Sequence, residues 1–82
     1  MKILLNLRVP AIKKEFDMFV PDDLRIKVVT TLIAQSIEEL SNHQFVPSGN
    51  ECICSMEKDI MLRPNATLAS YGIQNGDHLI LM

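Results

Sequence analysis

The chain has 82 residues and a net charge of −2; 48% of its residues are apolar and 22% charged, with only three glycines and four prolines. That composition describes one globular domain and excludes a disordered chain; a domain this short buries only about 60% of its unfolded surface and folds with little margin. Without a basic excess nothing displaces counterions from phosphate, which excludes nucleic-acid binding, and no apolar run reaches the ~20 residues of a membrane-spanning helix.

The first stretch, MKILLNLR (1–8), alternates Met1, Ile3, Leu5 and Leu7 with Lys2, Leu4, Asn6 and Arg8, the period of a half-buried strand. A signal peptide needs a longer apolar run and a small-residue cleavage site, so the expectation is a soluble, intracellular protein. VPAIK (9–13) is a turn region broken by Pro10. KEFDMFV (14–20) alternates again, with Phe16, Met18 and Val20 inward and Glu15, Asp17 and Phe19 outward. Two such strands joined by a short loop predict a β-hairpin.

Pro21 ends the second strand, and the period changes. Asp22 or Asp23 is the expected N-cap of a helix. Ile26, Val29, Ile33, Ile37 and Leu40 recur at spacings of three and four and fall within an arc of about 80°, one helical face to lay on a sheet. The helix is expected to end between Leu40 and Asn42, followed by a loop (43–51) punctuated by Pro47 and Gly49.

CICSM (52–56) predicts a third strand, EKD (57–59) a turn, and IMLR (60–63) a fourth strand stopped by Pro64. Thr67 can cap one short helical turn that Gly72 closes in the left-handed conformation. Asn75-Gly76 signals a tight turn, and HLILM (78–82) closes the chain with Leu79 and Leu81 on one face, His78 and Ile80 on the other. An apolar strand left at a sheet edge is an open template for aggregation, so this strand is expected centrally, beside the first. Cys52 and Cys54, two apart on a strand, point the same way at the outer limit of disulfide geometry. With His43 and His78 scattered elsewhere they make no metal-ligand pattern, and they read as small buried hydrophobes.

The order β-β-α-β-β-(short helix)-β is that of an α+β chain with a mixed sheet packed on one helix, the β-grasp. TLASYGIQNGDHLIL (67–81) resembles the last third of ubiquitin, and MKILLNL with Ile26, Val29 and Ile33 resembles its first strand and helix. The resemblance implies that the Tyr71 hydroxyl holds the backbone near Arg63. It also implies a contrast: ubiquitin-type modifiers and sulfur carriers act through a flexible C-terminal Gly-Gly, whereas this sequence reaches Met82 still within a strand. GIQNGDHLIL (72–81) and the EKD turn resemble the YukD-like (EsaB-like) family, small bacterial ubiquitin folds that go with type VII, WXG100-type secretion systems. That resemblance implies a non-enzymatic docking or regulatory subunit, cytoplasmic or recruited to the inner face of the cell membrane. Its expected partner is a membrane or ATPase component of the apparatus. The alternative is a β-grasp carrier or modifier acting through a processed C-terminus.

Three apolar surfaces are candidates for partner docking. Leu24, Val28 and Leu32 recur at steps of four on the helix side turned from the core, a contiguous apolar ridge of the kind that marks partner sites. His78 and Ile80 point outward on the closing strand and match part of ubiquitin's recognition face, whose central isoleucine falls on Ser55, or on Ile53 if the third strand shifts register. Leu4 and Phe19 point outward on neighbouring strands, where such pairs also simply stabilise a sheet. Each surface is equally open to a second copy of the chain. No Ser-His-Asp set, phosphate-cradling Gly loop or metal-ligand cluster is present. The expectation is a protein without catalytic residues or cofactor.

Overall fold

The computed structural model describes all residues, Met1–Met82. Strand β1 (Lys2–Val9) and strand β2 (Lys14–Pro21) form the predicted hairpin, in register from Lys2 opposite Pro21 to Val9 opposite Lys14. Their connection is a single 3₁₀ turn, Pro10–Ile12, closed by Lys13 in the left-handed region at φ 55°. Pro10 suits this place because a first helical turn has no use for its missing N–H. Val9, read from the sequence as turn, is the last buried residue of β1.

Helix α1 spans Ile26–Leu40. It does not start on Asp22 or Asp23: Arg25 is the N-cap, and no side chain caps the helix. Asp22 is held elsewhere. Asp22 N–H donates to the Met1 carbonyl, the Asp22 carbonyl accepts from Ala69 N–H, and the Asp22 carboxylate lies 3.2 Å from the N-terminal ammonium. The helix's first free N–H groups are satisfied by backbone instead, Ile26 donating to the Ala66 carbonyl at 2.8 Å and Lys27 to that of Pro64 at 3.0 Å. A cap made by another loop does the work of a capping side chain. At the other end Ser41 is buried; its hydroxyl donates to the Glu38 carbonyl and accepts from Phe45 N–H at 3.1 Å. Leu40, placed by periodicity on the core face, is 60% exposed. The chain turns away there through positive φ at Asn42 and His43, and Phe45 from the following loop is buried in the core.

Strands β3 (Ile53–Ser55), β4 (Ile60–Met61) and β5 (His78–Leu81) complete a five-stranded sheet in the order β2-β1-β5-β3-β4. The closing strand is central as expected: β5 runs parallel to β1 (Leu7 beside Leu79) and antiparallel to β3 (Ile53 beside Leu81). Met82 and Cys52 extend that ladder by exchanging backbone hydrogen bonds of 2.8 and 2.9 Å. Ile3, Leu5 and Leu7 of β1, Ile53 of β3 and Leu79 and Leu81 of β5 face Ile26, Val29, Ile33 and Ile37 of α1 in one continuous core. Phe16 and Met18 of β2, on the inward side, are only half-buried at its margin.

The segment between β4 and β5 is fixed by local chemistry. Arg63 N–H donates to the Tyr71 hydroxyl at 2.9 Å, the contact implied by the ubiquitin resemblance. Thr67 Oγ1 accepts from Ser70 N–H over the 3₁₀ turn Ala69–Tyr71, which Gly72 closes at φ 70°. In the last turn Asn75 Oδ1 accepts from Leu4 N–H at 2.7 Å and Gly76 takes φ 87°, so the Asn-Gly pair both reverses the chain and docks it on β1.

Candidate functional site

Residues paired across a sheet share a face, so the register maps the outer surface. One row reads Glu15, Arg8, Ile80, Cys54, Met61 across all five strands. Its first two members form an ion pair at 3.6 Å; Ile80, Cys54 and Met61, with Met56 and Ile60, line a shallow depression of about 300 Å³. The next row is polar: Asp17, Asn6, His78, with Asn6 Nδ2 donating to Asp17 Oδ1 at 3.0 Å. The third row holds Phe19 directly opposite Leu4, with Phe19 67% exposed. The four outward residues predicted on the sheet therefore do share one face, but the Asp17–Asn6–His78 row divides its apolar surface in two.

The position of ubiquitin's central isoleucine is corrected by this register. Ile53 and Ser55 are both buried, because they pair with the inward Leu81 and Leu79. The outward residue between them is Cys54. Its thiol is pushed up by burial and then by the neighbouring Cys52 and Asp59, which keeps it a neutral, weakly reactive side chain. Cys52 and Cys54 are free thiols.

The helix flank is different. Val28 and Leu32 are each 42% exposed on α1, while Val29 and Ile33 beside them are buried. Leu24 is 38% exposed but precedes the helix, so the ridge on α1 itself is Val28–Leu32. These two residues form one wall of a groove of about 610 Å³. Its floor includes Ile26, Ala34, Ile53 and Leu62; its far side is the loop carrying Pro47, Gly49 and Glu51, with Pro64. Glu51 is held in place: its carboxylate accepts from Ser48 N–H at 2.6 Å, Ser48 Oγ at 2.7 Å and Gly49 N–H at 3.2 Å. Burial raises its proton affinity, but those hydrogen bonds outweigh burial and leave the pKa below the ordinary carboxylate range. No group of three or more metal-ligating side chains converges anywhere, and no helix is long and apolar enough to cross a membrane.

The family model described as "WXG100 protein secretion system (Wss), protein YukD" matches residues 4–81. The chain belongs to the YukD family. No curated protein matches it in sequence. Solved structures show the fold of this YukD-family chain to be ubiquitin-like. The ubiquitin-like domain of Plasmodium falciparum Dsk2 superposes with a TM-score of 0.71 at 21% identity, covering 100% of both chains. The EccD5 ubiquitin-like domain from Mycobacterium xenopi gives 0.73 at 16% identity, covering 100% of this chain and 93% of that one. The ubiquitin of Caldiarchaeum subterraneum gives 0.69 at 17% identity, covering 99% and 91%.

In this YukD-family chain the exposure of Val28 and Leu32 is legible in the helical pattern, but the groove they border is not. The groove's other side comes from residues 47–53 and 62–64, and no local pattern announces that these lie against the helix. Glu51 carried no signal beyond being an acid in a loop; its neighbours Ser48 and Gly49, both turn residues able to offer N–H groups, were the available clue.

Proposed function

We propose that this YukD-family chain is a non-enzymatic docking subunit of a WXG100-type (type VII) secretion apparatus, binding a membrane or ATPase component at the cytoplasmic side of the cell membrane. Family membership supports the apparatus. The observation that carries docking is Val28 and Leu32, exposed side by side on a helix whose opposite face is sealed in the core, since a contiguous apolar patch with no internal partner is costly to leave in water. The sheet face is a weaker candidate, because a polar row splits it. Ile80 and His78, and Leu4 with Phe19, then serve as secondary contacts or as sheet packing.

The chain acts by contact on this reading. Leu79 and Leu81 are buried and Met82 is paired to Cys52, so these residues serve the sheet.

The test is co-purification of the tagged chain, expressed at native level in its host, from detergent-solubilised membranes. Proteins encoded beside WXG100-type genes are expected by mass spectrometry, and their recovery is expected to fall at least tenfold for a folded Val28→Asp/Leu32→Asp variant. Recovery of none of them, or equal recovery by the variant, overturns the proposal.

A further inference from the structure

We propose that the groove beside α1 receives an amphipathic helix of the partner, set by apolar anchors and by a lysine or arginine placed against Glu51. The proposal rests on the docking role above and names the shape and charge of what docks.

Three observations define the occupant. The first is that the groove offers no continuous ladder to an extended chain. Pro47 and Pro64 line it and have no N–H. Four of the N–H groups lining it are already used: Cys52 donates to the Met82 carbonyl, Leu62 to that of Ile53, Ile26 to that of Ala66 and Lys27 to that of Pro64. A strand binds by main-chain hydrogen bonds to an open edge, whereas a helix satisfies its own backbone and presents only side chains. A groove whose donors are mostly spent or missing therefore suits a helix.

The second is length. The groove follows α1 from Ile26 to Gln35, about 13.5 Å at 1.5 Å per residue. Anchors at i and i+7 of a partner helix are about 10.5 Å apart, so two turns of an apolar face fit along it, with Val28 and Leu32 as the lip they cross.

The third is charge. Glu51 is an anion at a fixed position, pinned by Ser48 and Gly49. Lys27, the only other charged residue lining the groove, carries its charge on a long flexible stem and sets no geometry. A partner cation facing Glu51 is the one charge contact whose place this surface defines.

The test is a phage-display selection of randomised 16-residue peptides against the whole chain, with affinities of the recovered peptides measured by fluorescence anisotropy. Peptides with apolar residues at i, i+3 or i+4, and i+7, and with a lysine or arginine, are expected. Their affinity is expected to fall at least tenfold for Gln35→Trp, which fills the groove from an exposed position, and at least fivefold for Glu51→Gln. Where Glu51→Gln loosens its loop, the same peptides with the basic residue replaced by glutamate, bound to the unaltered chain, give the charge comparison and are expected to lose as much. Peptides with a period-two pattern, equal binding to Gln35→Trp, equal binding of basic and acidic versions, or no recovered peptide (the result for a groove that takes only a small molecule) overturn the proposal. The two readings fail separately. Co-purified apparatus components without groove-binding helices remove the helix and leave the docking subunit; groove-binding helices without apparatus components remove the apparatus and leave the groove.

Discussion

The Glu57 carboxylate holds His78 at two points: it accepts from the backbone N–H at 2.9 Å and meets the ring Nδ1 at 2.6 Å. This ties the turn after β3 to the first residue of β5, the strand on which the sheet is built. The hydrogen bond from the His78 ring, against a smaller opposing effect of burial, holds the Glu57 carboxyl below the ordinary carboxylate range. A carboxyl whose pKa is depressed by folding stabilises the protein above its unfolded pKa, and that stabilisation is lost as pH falls through the folded one. Glu57→Gln should therefore lower the urea midpoint at pH 7 and shrink the further drop between pH 7 and pH 3. Glu51, depressed by its own hydrogen bonds, accounts for part of the drop that remains. Urea titrations of both proteins at the two pH values check this, and an unchanged drop in the variant contradicts it.

Tyr71 anchors a backbone group from eight residues away, its hydroxyl accepting from Arg63 N–H. Tyr71→Phe keeps the ring and removes that acceptor. The expected loss is about 0.5–1.5 kcal/mol, read as a shift of the denaturation midpoint at unchanged slope. No shift would show that solvent satisfies Arg63 equally well.

Leu79 and Leu32 are the same side chain in opposite settings, one buried in the central strand and one 42% exposed on the helix. Leu79→Ala is expected to cost about 2–5 kcal/mol. Leu32→Ala should stay within about 0.5 kcal/mol, as surface substitutions usually do, while weakening partner binding. Equilibrium unfolding measures the first difference and co-purification the second. A large stability loss at Leu32 would make it a core residue rather than a docking one.

The parts of this fold that are legible in sequence are those whose partners are local or periodic. Ile3, Leu5 and Leu7 alternate; Ile26, Val29, Ile33 and Ile37 recur on one helical face; Thr67, Gly72 and Asn75-Gly76 carry their own turn chemistry. All stand where they were expected. The misplacements occur where a distant group intervenes. Asp22 looks like a helix cap until Met1 and Ala69 claim it, and the helix start is capped by Pro64 and Ala66 instead. Leu40 continues the helical stripe, but the helix ends there, and Phe45 from the next loop fills core space instead. The strand register that turns Cys54 outward depends on pairing with Leu79 and Leu81, more than twenty residues on. The candidate site divides the same way: Val28 and Leu32 belong to a visible helical ridge, while Glu51, Pro47 and Pro64 become part of one groove only through the fold.

Docking through the helix flank is tested most directly by photocrosslinking in the native host. A photoreactive phenylalanine analogue would replace Leu32, with a second protein carrying it at the exposed Asn50 and a third at the exposed Phe19 of the outer sheet face. The account predicts a discrete crosslink from position 32 to a protein encoded with the WXG100-type genes, and weaker or no products from position 19. A crosslink to that machinery from position 19 with none from 32, or no crosslink from any of the three, would contradict it.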